Sequence, residues 1–172
     1  MTVWSQIQGI CGFLFKEFTG IPPETAQIIF DRIGTKEQIE ILDAIFATFQ
    51  DENERASGER LMRQVEAISV RRNKIVHSGW GLYNGEVARF WHGLTSAHFD
   101  EIMRETPKGK SQRERFIFTL TDLNRLTGHG NDVANMLEGF LHVALQKRHE
   151  RRSSPSGHRP PFPPAQGPQR RG

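Results

Sequence analysis

The stretch Arg71-Arg72-Asn73-Lys74-Ile75-Val76-His77 gathers side chains suited to phosphate chemistry. Arginine offers a planar, permanently charged fork matched to phosphate oxygens. Histidine titrates near neutrality, so an imidazole can take or give a proton at physiological pH. Asn73 and His77 are four residues apart and share a face if the segment is helical, which lets the amide orient the ring or bind phosphate itself. Arg72 and His77 are less well matched. In an ideal helix they leave the axis about 140° apart and about 7.5 Å along it. One copy does not aim both at a single phosphate, but two such helices meeting across a two-fold axis would place two arginines and two histidines around one cleft.

The element that must hold these residues is a helix opening near Ser57 and reaching His77, with Ser78-Gly79 as its stop signal. On a wheel with Leu61 at zero, Val65 falls at about 40°, Ile68 at about 340°, Ile75 at about 320° and Val76 at about 60°. Arg72 falls at about 20°, in the middle of that apolar stripe. An unpaired charge is costly to bury there. The C-terminal part of the stripe is therefore expected to face a wet cleft, a counter-charge or another subunit.

Charge is unevenly distributed. The 172 residues carry 23 basic and 20 acidic side chains, a net +3, but residues 151–172 hold five arginines and no acid. Residues 1–150 are therefore slightly acidic, and the pI of about 9.3 comes from the tail. Within the body, residues 1–54 have three basic and nine acidic side chains, whereas 55–77 have six basic (Arg55, Arg60, Arg63, Arg71, Arg72, Lys74) and two acidic (Glu59, Glu66). An anionic partner is to be sought on that short segment.

Other chemistries fit poorly. The single cysteine, Cys11, excludes a disulfide framework and a four-cysteine zinc site. It lies on an apolar helix stripe and reads as a small core residue. Gly109-Lys110-Ser111 resembles the end of a phosphate-binding loop, but Arg104 stands where the required glycine would be. His92 and His98 suggest no third metal ligand, and no nucleophile elbow is present. No apolar run is long enough to span a membrane, and no secretory signal is evident, so a reducing cytoplasm is the expected compartment. No internal repeat is visible.

The surrounding pattern is helical. Ile7, Ile10, Cys11, Leu14, Phe15 and Phe18 mark a first helix with Ser5 as a candidate cap. A second, from about Pro23 to Ile33, is stopped by Gly34, and a third capped by Thr35 covers about 36–50. Asn84-Gly85 between aromatic-rich runs predicts a β-hairpin. Residues 96–104 fit either a helix or a strand, Pro107 to Gln112 reads as a loop, and Phe116-Ile117-Phe118 is a candidate third strand. Leu123, Leu126, Gly130, Val133, Leu137, Phe140 and Ala144 keep one helical phase through Gly128-His129-Gly130, predicting one long helix from about 121 to 149. The expected fold is an all-α, up-and-down helical bundle over residues 1–150, with a small β-hairpin insertion before the last long helix. Residues 151–172 read as a disordered, Pro/Arg-rich tail, in which Pro160-Pro161-Phe162-Pro163-Pro164 could serve as a polyproline ligand.

Arg72-Asn73-Lys74-Ile75-Val76-His77 resembles the Arg-x4–6-His motif of HEPN domains, including the polar residue directly after the arginine. Arg71 also fits the spacing, but the Arg-Asn pair favours Arg72. The following Ser-Gly-Trp and the β insertion are similar to those of bacterial members, and the resemblance covers about residues 1–150. It implies a HEPN-like helical bundle and a homodimer with the motif at its interface, for which the stripe of Leu61, Val65 and Ile68 is the candidate contact. In active members it implies metal-independent RNA cleavage, with no cofactor. Many members pair with a nucleotidyltransferase-type antitoxin.

On that expectation Arg72, His77 and Asn73 are the catalytic candidates, and Arg63, Arg71 and Lys74 would bind the RNA backbone. An attacking 2′-hydroxyl predicts 2′,3′-cyclic phosphate ends and no cleavage of DNA. Two other readings use the same residues. One is a noncatalytic nucleic-acid-binding or regulatory module. The other is a helical protein-interaction domain in which Arg72 bridges to a neighbouring carboxylate, and Lys74 and His77 complement the helix dipole.

Overall fold

The apolar periodicities become helices in the computed structural model, which describes residues 2–91, 95–104 and 106–153, with side chains to 150. The predicted tail from 154 onward, its proline run and His92 lie outside the described residues. Helix α1 (Val3–Thr19) buries Ile7, Cys11, Leu14 and Phe15. Its cap is Thr2, not Ser5. The Thr2 side chain accepts a hydrogen bond from the Ser5 backbone N–H, which places Ser5 inside the first turn. Gly20 ends the helix at φ 69°, a left-handed conformation glycine adopts without a Cβ penalty.

Helix α2 (Pro23–Arg32) opens with proline in its first turn, as predicted. Helix α3 (Thr35–Ala47) is capped by Gly34, and Thr35 is its first helical residue. Buried Gln38 donates to the Phe30 carbonyl at 2.7 Å and joins α3 to the end of α2. Helix α4 (Glu52–Val76) begins a turn earlier than Ser57, because the Asp51 side chain accepts from the N–H groups of Asn53 and Glu54. The Glu54 N–H bond holds the Asp51 carboxyl below its usual range, helped by Lys147. Lys147, on the last helix, also pairs with Glu54 at 2.6 Å.

The last helix, α7 (Leu120–Ser153), runs unbroken through its glycines. A Cβ on Gly130 would stand 2.7 Å from a Val3 methyl carbon, so this glycine lets α7 pass close to the start of α1. That packing explains why the apolar phase survives a helix-weakening residue. α1 packs on α2, α3 and α7, and α4 packs on α3 and α7. Between them lies the main core, centred on fully buried Phe46. The rings of Phe49 and Phe140 meet Phe46 edge-on at 5.5 and 5.3 Å. Among the described residues, no helix is long and apolar enough to cross a membrane.

The β insertion follows α4. Strands β1 (Ser78–Tyr83) and β2 (Glu86–Trp91) form the predicted hairpin, with Asn84 and Gly85 at φ 53° and 80°. Of residues 96–104, which fit either a helix or a strand, 96–102 are helical: α5 (Ser96–Ile102) is capped by Thr95, whose N–H is accepted by His98 Nδ1. The predicted loop at Pro107–Gln112 is instead the start of helix α6 (Pro107–Phe116). Its first nine residues contain no large apolar side chain to reveal a period, and Gly109 imitates a loop signal. That glycine is required because a Cβ would collide with the Arg104 carbonyl. The third strand, β3 (Ile117–Thr119), lies one residue later than expected and pairs antiparallel with β2, giving the order β1-β2-β3. Ala88, Ile102, Phe116 and Ile117 form a second, smaller core beneath it.

A Cβ on Gly58 would lie 2.5 Å from Phe46 Cγ. Gly58→Ala is expected to destabilise the fold by about 1–3 kcal/mol in urea unfolding, because the ring is walled in on every side. Burial pushes the Cys11 thiol up from its ordinary 9.0 to about 12. Between those values the unfolded chain releases a proton that the folded chain keeps, so stability falls as pH rises through the window. The native protein should resist thiol reagents at mildly alkaline pH, and the urea-unfolded chain should react at once.

Candidate functional site

α4 carries its apolar stripe beyond the core, and this places Arg72. Leu61, Val65 and Ile68 are 7%, 2% and 4% exposed and pack inside the main core. This corrects their assignment to a dimer interface: the chain's own helices cover the stripe, leaving nothing there for a second copy to touch. Val76, at the end of the same stripe, is 45% exposed. Arg72 sits at the transition and is half-buried. Its guanidinium carbon lies 6.0 Å from the ring centre of Trp4 on α1. Its Nη1 donates to Asn73 Oδ1 at 3.0 Å. Among the described residues no carboxylate forms an ion pair with it, so the structural bridge considered from the sequence is not made.

Asn73 does not bond to His77 through its side chain; it holds Arg72 instead. Its other surroundings are acidic. It lines a groove of about 460 Å³ between α3 and α4 together with Glu37, Glu40, Asp43, Glu66 and one cation, Lys36. His77 is the exposed C-cap of α4, with its backbone N–H donated to the Asn73 carbonyl at 3.1 Å. Because α4 is helical through Val76, Arg72 and His77 leave it on different flanks, as the spacing predicts.

Of the proposed phosphate-binding residues, Lys74 leaves α4 on the His77 side, about 160° around the helix from Arg72, with its ammonium 5.2 Å from the Trp91 ring centre. Arg71 is exposed and lines a separate cavity of about 420 Å³ with Ile75, Tyr83, Arg113, Asp122 and Arg125. Arg63 is exposed but lies about 180° around α4 from Arg72, so the fold does not bring it to the site.

Residues the sequence reading did not single out complete the arrangement. Arg89 on β2 donates from Nη2 to the carbonyls of Val76, at 3.2 Å, and Ser78. These two carbonyls flank His77, so one guanidinium fixes the backbone on both sides of the imidazole. Ser78 returns its hydroxyl to the Lys74 carbonyl. Together they satisfy acceptors that a helix C-terminus leaves open. Arg89 also lies 4.8 Å from the ring centre of Trp80. Each of the chain's three tryptophans (Trp4, Trp80 and Trp91) thus has a cation of this region at its ring. The Trp80–Arg89 pair was legible in principle. Counting back from a two-residue Asn84-Gly85 turn sets Trp80 opposite Arg89, the register observed.

Among the described residues no three His, Cys, Asp or Glu side chains are grouped to hold a metal ion. His98 is occupied in the α5 cap and stacks on Phe116 at 4.8 Å. The chain matches no protein-family model, no curated protein and no solved structure.

Arg89→Ala is expected to cost about 1–2 kcal/mol in urea unfolding, because it removes charged hydrogen bonds to partly exposed carbonyls. Hydrogen exchange should quicken at the amides of residues 77–79 more than in the core.

Proposed function

We propose that this chain is a metal-independent endoribonuclease of HEPN type, acting in toxin or defence systems, with its site built on Arg72 and His77. The observation that carries the reading is the state of Arg72. This guanidinium is half-buried at the end of an apolar stripe, oriented by Asn73, laid near an indole and unmatched by any carboxylate among the described residues. Such a cation keeps its charge for an incoming anion.

In the reaction, the RNA 2′-oxygen bonds to the adjacent phosphorus and the bond from phosphorus to the 5′-oxygen breaks. One imidazole takes the 2′-hydroxyl proton and a second group protonates the leaving 5′-oxygen. The guanidinium stabilises the charge that builds on the phosphorane. The products are a 2′,3′-cyclic phosphate and a 5′-hydroxyl. Because Arg72 and His77 of one copy diverge, the complete site is a homodimer in which each copy supplies part of the cleft. The copies would meet around the exposed end of α4 near Val76. A nucleotidyltransferase-type antitoxin is the partner that the resemblance implies.

That same divergence favours a second reading: within one chain the arrangement suits phosphate binding better than proton transfer, as in a noncatalytic RNA-binding module.

The test is end-labelled single-stranded RNA incubated with the full chain in excess chelator. Wild type should yield cyclic phosphate ends and leave DNA intact. Arg72→Ala and His77→Ala should each lower cleavage by about a hundredfold or more while circular dichroism stays native. Binding without cleavage would select the noncatalytic module. Absence of both would leave an interaction domain.

A further inference from the structure

Beside the site the sheet exposes an apolar face. β1 is an edge strand, and Trp80, Leu82 and Val87 are 65%, 72% and 49% exposed. Trp80 and Leu82 are two residues apart on one strand, and Leu82 pairs with Val87 and Trp80 with Arg89, so the four share one face. Arg89 holds a guanidinium at the Trp80 ring while anchored to two backbone carbonyls, which fixes the indole's backing. Two cations border this face: Arg89 on it, and Lys74, whose ammonium lies at the ring of Trp91, two residues beyond Arg89 on β2. Neither forms an ion pair with a carboxylate among the described residues. A flat aromatic surface rimmed by unmatched cations suits a strand that offers both open bases and phosphates.

We propose that this face binds single-stranded RNA, with an unpaired base stacked on Trp80 and the adjoining phosphates directed toward Lys74. The proposal rests on the RNA-directed reading of the Arg72–His77 site and deepens it by naming the substrate as single-stranded. Trp80 lies three residues past His77, so their Cα atoms are at most about 11 Å apart. A base held on the indole therefore sets which phosphate reaches the imidazole. A duplex keeps its bases stacked inside and offers no such base.

The test uses the full chain, a short single-stranded RNA made uncleavable by 2′-O-methylation, and the same sequence as a duplex. Affinity is followed by anisotropy and by tryptophan quenching. Trp80→Ala should weaken single-strand binding about tenfold, Trp80→Phe should restore most of it, and the duplex should bind wild type at least about tenfold more weakly. Thermal melting checks that the variants fold.

Unchanged affinity in Trp80→Ala, or a duplex bound as tightly as the single strand, would overturn the proposal. So would light scattering in which Trp80→Ala separates two copies while RNA affinity is unchanged, since the face would then be a contact between chains. Cleavable RNA distinguishes this proposal from the nuclease reading. Trp80-dependent binding without cleavage sustains the single-strand site and refutes the nuclease. Cleavage with binding indifferent to Trp80 does the reverse.

Discussion

The burial of one stripe of α4 is the constraint on which the molecule turns. Leu61, Val65 and Ile68 are held between helices of the same chain, and Gly58 lets α4 approach Phe46 closely enough to seal the core. That contact fixes the rotation of α4 about its own axis. Once the rotation is set, the position of every later residue on the helix follows at about 100° per step. Arg72 must then emerge beside the start of α1, and Asn73 must face α3. The core and the candidate site are thus two ends of one apolar stripe, and a change in packing at the first end would turn the second.

The same rotation separates charge. The flank of α4 that faces α3 meets Glu37, Glu40 and Asp43, with Lys36 paired to Glu40 at 3.4 Å, and contributes Glu66 itself. Arg72 leaves α4 toward α1 on one side of that groove, and Lys74 leaves it toward the hairpin on the other, about 160° away, where β2 adds Arg89. The field at the end of α4 is therefore uneven, negative over the groove and positive at its two margins.

Much of the architecture was legible because it depends on repeated signals. The long last helix declared itself through seven apolar or small positions in phase, and the hairpin through Asn84-Gly85, where both residues need positive φ. α6 was hidden because its first nine residues lack an apolar period and its glycine serves a close backbone approach. Arg72 was legible as an anomaly, a charge on an apolar stripe. Its surroundings were not, because Trp4 is almost seventy residues away and reaches Arg72 only through tertiary packing. The dimer contact assigned to Leu61, Val65 and Ile68 failed for a related reason. A stripe pattern says that a face is buried, but not whether its own chain or another copy buries it.

The manner in which these cations are held bears directly on what they can do. Elsewhere the chain pairs cations with acids, as in Lys147 with Glu54 and Asp51, or Arg55 with Glu52. A carboxylate partner would have to be displaced before a phosphate could bind. An indole orients a guanidinium or ammonium with an attraction of about 0.5–2 kcal/mol and leaves its positive charge unneutralised. Trp4, Trp80 and Trp91 therefore position Arg72, Arg89 and Lys74 without occupying their anion-binding capacity. Arg89 is already committed to two backbone carbonyls, so its part is to stiffen the turn around His77 and the ring of Trp80. Arg72 and Lys74 keep donors available. A region built only for stability would gain more from matching those two charges with nearby acids. The fold instead leaves both with rings, where their charge stays open to an anion.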